Sequence, residues 1–92
     1  MILTFGCKDT EALYAGDSPR RFRAFQTQAE RKLQMLDSVT AIEDLRSPPG
    51  NRLEKLSGDR AGQWSIRINS QWRVCFRFEN GHAHDVEIVD YH

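Results

Sequence analysis

Between Gln63 and Glu79 side-chain character alternates on both sides of Asn69-Ser70-Gln71, and this limits the possible fold more than any other feature of the chain. Trp64, Ile66 and Ile68 alternate with Gln63, Ser65, Arg67 and Asn69, and Trp72, Val74, Phe76 and Phe78 with Arg73, Cys75, Arg77 and Glu79. A period of two gives each strand one apolar and one polar face. A loop at Asn69-Ser70-Gln71 sets Ile68 across from Trp72, Ile66 across from Val74 and Arg67 across from Arg73. Glu79-Asn80-Gly81 reads as a three-residue hairpin loop, with Gly81 free to take the left-handed bulge position. The last strand then has Val86 and Ile88 inward and Glu87 across from Arg73.

The first half has a helical period. Ile2 to Phe5 form a short β-prone run. A helix follows, capped by Asp9 or Thr10, with Leu13 and Tyr14 as apolar contacts and Gly16 to close it. Ser18 suits the N-cap of a longer helix with Pro19 at its first position, and Phe22, Phe25, Ala29, Leu33 and Leu36 follow at helical spacing. Thr40-Ala41-Ile42-Glu43 has capping-box spacing for a short helix to about Leu45. Ser47-Pro48-Pro49-Gly50-Asn51 interrupts it, because consecutive prolines do not fit a helix interior. Leu53 and Leu56 then flank a short extended segment that ends at Gly58-Asp59. The pattern predicts one α+β domain over residues 1–92, with two N-terminal helices packed on one face of an antiparallel sheet. Trp64, Ile66, Ile68, Trp72, Val74, Phe76, Val86 and Ile88 should pack on the apolar helix stripe, leaving the arginine-bearing face open.

Composition narrows the function. Thirteen Lys and Arg balance thirteen Asp and Glu among 92 residues, so any hold on nucleic acid must come from local arginine clusters. Cys7 and Cys75 lie far apart outside any CxxC pair and read as reduced, packed thiols of a cytoplasmic protein. Sequence alone leaves a bridge between them open. His82, His84 and His92 lack thiolate partners for zinc, and neither a signal peptide nor a membrane span is expected.

Two features carry possible chemistry. Arg67 opposite Arg73 places like charges face to face, which is destabilising unless an anion sits beside them. That anion is either Glu87, in a plain cross-strand ion pair, or a phosphate, which guanidinium binds bidentately. The terminal Asp90-Tyr91-His92 combines a carboxylate, a phenol and an imidazole able to move protons near neutrality.

Residues 56–92, "LSGDRAGQWSIRINSQWRVCFRFENGHAHDVEIVDYH", resemble HigB toxins of the RelE superfamily. The matching elements are Leu56, the Gly58-Asp59-Arg60-Ala61-Gly62 turn, Asn69-Ser70-Gln71-Trp72-Arg73 and Asp90-Tyr91-His92. The helix bearing "AERKLQMLDSVTAIEDL" also fits, and "RSPPGNRLEKL" is similar to the GraT-like subgroup. The resemblance implies a type II toxin acting as a metal-independent, ribosome-dependent endoribonuclease that needs no cofactor. In that reaction a ribose 2′-hydroxyl attacks the adjacent phosphate, giving a 2′,3′-cyclic phosphate and a free 5′-hydroxyl. By resemblance Asp90 and His92 are the acid–base candidates, Tyr91 stacks on or orients a base, and Arg73 holds the phosphate. Arg67, Arg60, Lys55 and Arg77 are the candidate RNA-binding cations.

The resemblance also implies its partners. These are the A site of the 70S ribosome with its mRNA, and a HigA-like helix-turn-helix antitoxin through which alone operator DNA is touched. One departure stands out: Glu54 occupies a position where some HigB toxins have histidine, and Ser57 one where lysine is common. A glutamate can serve as a base but repels phosphate, so slower or differently selective cutting is expected. The alternatives are an A-site-binding inhibitor that does not cut RNA, and a protein–protein adaptor.

Overall fold

The computed structural model describes residues 1–91. Two α-helices, α1 (Lys8–Tyr14) and α2 (Gln26–Ser38), precede an antiparallel sheet of β1 (Glu54–Lys55), β2 (Trp64–Arg67), β3 (Trp72–Glu79) and β4 (His82–Asp90). The strands lie in chain order. Ile66, Val74, Phe76, Val86 and Ile88 are buried against Leu13, Phe22, Ala29, Leu33 and Leu36, with Trp64 and Trp72 half-buried at the margin. This is the α+β arrangement that the two periods predict.

The outer edge of β4 is closed by the N-terminus. Leu3 N–H donates to the Ala83 carbonyl at 2.8 Å, and Gly6 N–H to that of Val86 at 2.9 Å. Ile2 and Phe5 thus form parallel bridges to β4 instead of a full strand. The α1 helix continues this closure, since Thr10, fully buried, accepts the Ile88 N–H on its Oγ1 at 3.0 Å. An edge with its donors and acceptors satisfied is no template for aggregation.

Local structure departs from the predicted caps. Helix α1 starts after Cys7 and α2 after Phe25, neither with a side-chain cap bond. Pro19 precedes a 3-10 turn, Arg20–Phe25, in place of the first turns of one long helix. Residues three apart eclipse each other in a 3-10 turn. That puts both Phe22 and Phe25 on Trp72, with ring centroids at 5.9 and 4.9 Å. Ser18 Oγ donates to Gln26 Oε1 instead of capping. The predicted Thr40 capping box is absent too, because a 3-10 turn over Ile42–Arg46 begins after Ala41.

The β3–β4 hairpin corrects a predicted register. Its turn holds two residues, Asn80 and Gly81, at φ of 53° and 79°, with Glu79 paired to His82. Positive φ at both positions is the type I′ geometry that suits Asn-Gly. A bulge then sets Phe76 against both Asp85 and Val86, and Asp85 takes a φ of 54°. Aspartate tolerates this region better than most residues. The added residue moves Glu87 opposite Cys75, so Arg73 faces Val89. The predicted Arg73–Glu87 pair does not form.

Candidate active site

β1 pairs Glu54 with Ser65, and β2–β3 pairing sets Ser65 against Cys75 and Arg67 against Arg73. Alternation therefore puts Glu54, Ser65, Cys75 and Glu87 in one row across the face away from the helices, with Arg67, Arg73 and Val89 in the next. This face is less open than alternation predicts. Ser65 and Cys75 are fully buried, and Arg73 is 9% exposed. Arg52, just ahead of β1, brings its carbonyl onto Arg73, and Tyr91 lays its ring beside the guanidinium.

Arg73 is the centre of this face. Its Nε donates to Ser65 Oγ at 2.8 Å, and its Nη2 to the Arg52 carbonyl at 2.6 Å and more loosely to that of Ser65 at 3.5 Å. These acceptors orient the guanidinium without cancelling its charge. The nearest carboxylate, Glu54 Oε2, is 3.7 Å away on a half-exposed side chain. The Tyr91 ring centroid lies 5.5 Å from the Arg73 Cζ, within cation–π range. Arg67 stands directly across from Arg73 and donates from Nε to the Asn69 carbonyl at 3.0 Å. Among the described residues it has no carboxylate at ion-pair distance.

A cavity of about 180 Å³ opens beside this cluster, lined by Glu54, Lys55, Leu56, Ser57, Asp59, Arg60 and Tyr91. The Gly58-Asp59-Arg60 turn forms one wall, with Gly58 and Gly62 at positive φ. Arg60 reaches back across the sheet to Glu87 at 3.3 Å and to Gln63 Oε1 at 3.1 Å. Glu87 thus neutralises Arg60 instead of Arg73. The Lys55 ammonium lies 5.8 Å from the Trp64 ring, on the rim.

Two sequence-predicted residues lie apart from this cluster. Arg77 is held by Asp85 at 2.8 Å and Glu79 at 2.7 Å. The Asp85 hydrogen bond and charge, then Glu79, raise its pKa further and commit its charge locally. Asp90 is paired with Trp72, in the pleat phase of Ile88 and opposite to that of Arg73. Its Oδ2 accepts from Gln71 Nε2 at 3.0 Å, and Tyr91 N–H donates to the Gln71 carbonyl at 2.7 Å. Gln71 therefore pins the end of β4, a role that nothing local announces. His92, the remaining acid–base candidate, lies outside the described residues. Cys7 and Cys75 are both free thiols, and burial pushes the Cys75 thiol pKa up against the opposing pull of Arg60.

The sequence model of the HigB-like RelE-type toxins of type II toxin–antitoxin systems matches residues 6–92. The chain belongs to this family. Toxin HigB-1 of Vibrio cholerae is 41% identical over 85 residues, which cover 90% of each chain. Endoribonuclease HigB of Proteus vulgaris is also 41% identical, over 61 residues, or 66% of this chain and 65% of that one. In three dimensions the HigB-like chain superposes on a chain of the heterotetrameric YoeB–YefM toxin–antitoxin complex of Staphylococcus aureus with a TM-score of 0.58. That match covers 100% of this chain and 98% of the other at 17% identity, so it speaks for the fold alone. As a member of a toxin–antitoxin family this chain has an antitoxin as its partner. None of its described helices is long and apolar enough to cross a membrane.

Proposed function

We propose that this toxin is a ribosome-dependent endoribonuclease that cuts mRNA by attack of a 2′-hydroxyl on the adjacent phosphate, without a metal. The observation that carries this reading is Arg73: a nearly buried guanidinium on neutral acceptors, with Glu54 and Tyr91 beside it. The pentavalent transition state gains negative charge on phosphorus-bound oxygen, and a fixed guanidinium stabilises it without having to reorganise. Glu54, the carboxylate nearest to Arg73, accepts the 2′-hydroxyl proton. His92 donates a proton to the departing 5′-oxygen, since imidazole can do so near neutral pH. Tyr91 offers its ring to a base, and Asp90 holds the terminal segment through Gln71.

Net charge of zero gives no general attraction for RNA. In this reading the A site supplies the mRNA geometry and much of the binding, while Lys55, Arg60 and Arg67 add local contacts. An antitoxin of HigA-like helix-turn-helix type carries the DNA-binding role. A non-cleaving A-site blocker is the competing reading, favoured by the proximity of Glu54 to Arg73, where its charge repels phosphate. Mapping RNA ends in a translating extract decides between them. New 5′-hydroxyl ends within codons, matched by upstream 2′,3′-cyclic phosphates and missing from naked RNA at physiological salt, are expected. Arrested translation with intact mRNA would overturn the nuclease reading.

A further inference from the structure

Asn51 ends the Ser-Pro-Pro-Gly loop and is fully buried. Its Oδ1 accepts from the Lys32 Nζ of α2 at 2.5 Å. An ammonium only donates, so this contact fixes which end of the amide is oxygen. Its Nδ2 is then free to donate to the Leu45 carbonyl at 3.1 Å, to that of Ser47 at 3.4 Å and to Met35 Sδ at 3.0 Å. One amide thereby ties α2 to both arms of the loop. The next residue, Arg52, is left-handed at φ 45° and ψ 56°, and its carbonyl is the 2.6 Å acceptor for Arg73 Nη2.

Arg73 is therefore held from two sides. Ser65 belongs to the sheet, and its place follows from strand pairing. The Arg52 carbonyl belongs to a loop without strand partners of its own, placed where Asn51 anchors it. We infer that Asn51 is a positioning residue for the reaction, setting the Arg52 carbonyl and through it the orientation of the Arg73 guanidinium toward phosphate. A misplacement of about 1 Å far from the reacting atoms can cost on the order of 100-fold in rate. This inference rests on the role proposed above for Arg73.

The test is single-turnover cleavage of ribosome-bound mRNA by Asn51→Asp, Lys32→Met, Arg73→Ala and the double variant Asn51→Asp/Arg73→Ala. Asn51→Asp keeps a partner for Lys32 but removes the donors to the Leu45 and Ser47 carbonyls. The maximal rate should fall about 10-fold or more with half-saturation nearly unchanged, as expected when only transition-state contacts are lost. On top of Arg73→Ala the same change should cost less than about 2-fold, because both act on one group. Lys32→Met, on a partly exposed helical face, should lower the rate in the same direction and carries the test if Asn51→Asp fails to fold. Wild-type rates in the folded variants would overturn the inference, as would a full multiplicative loss in the double variant. Arg73→Ala cutting at the wild-type rate would instead defeat the proposed function. Independently of activity, the Arg73 Nε–H resonance should shift in Asn51→Asp, and an unmoved resonance would also overturn the positioning role.

Discussion

On the helix side of the sheet Ile66, Val74, Phe76 and Ile88 meet Phe22, Ala29 and Leu33; on the other side Ser65, Cys75 and Arg73 are almost as enclosed. The first set is held by apolar area, a non-directional force satisfied by many packings. The second is held by bonds with direction: Ser65 to Arg73, Arg73 to the Arg52 carbonyl, Arg60 to Glu87. Each enclosed polar group there needs its particular partner, because an unpaired one costs roughly 1–3 kcal/mol. The apolar face thus sets stability, and the polar face uses that stability to keep a charge where it would not otherwise stay.

The largest effect should come from the apolar side. Phe76→Ala, in the fully buried middle of β3, should lower unfolding free energy by about 3–5 kcal/mol in a denaturant titration. A loss below about 1 kcal/mol would show that the helices do not pack on this face. On the polar side, Glu54→Gln keeps the shape of a half-exposed side chain and removes its basicity. Ribosome-bound cleavage should then drop by about 10²-fold or more, with the melting temperature almost unchanged. A faster variant would mean that Glu54 only repels phosphate.

The smallest effect concerns Cys75, at the join of the two regimes. Burial raises its thiol pKa, so the folded state holds that proton more tightly than the unfolded chain. Its contribution is fully present below the unfolded thiol value of about 8.5 and is lost as pH rises from there through the higher folded value. Stability should therefore fall above about pH 8.5 in the wild type, and less steeply in Cys75→Ala. Equal slopes would show that the thiol is not desolvated by the fold.

The two faces were unequally legible in the sequence. Alternation from Trp64 to Phe78 yields the β2–β3 register, including Arg67 against Arg73, because each residue signals its own face. The β4 register departs from the alternation because the turn holds two residues, not three, and the bulge at Asp85 leaves little local trace. Together they slip the pairing by two residues, from Arg73 to Cys75 for Glu87, and keep it on the same face. The long predicted helix starts instead with a 3-10 turn that sets Phe22 and Phe25 on one partner, Trp72, a shared contact that sequence spacing does not reveal. Ser65, Gln71 and Asn51 act through partners distant in the chain, so none stood out locally. Glu54 stood out only by resemblance, and its place 3.7 Å from Arg73 gives that signal a geometry.

Arg73 and Arg77 share one strand and one pleat phase but differ in what holds their charge. Arg73 rests mainly on neutral acceptors, whereas Asp85 and Glu79 both bind Arg77. The most direct test compares single-turnover cleavage of ribosome-bound mRNA by Arg73→Ala and Arg77→Ala, with folding checked by circular dichroism. Arg73→Ala should be slower by about 10²–10³-fold, as for a lost oxyanion donor, and Arg77→Ala should stay within about 3-fold of wild type. Equal losses from the two, or a wild-type rate for folded Arg73→Ala, would contradict the assignment of the phosphate to Arg73.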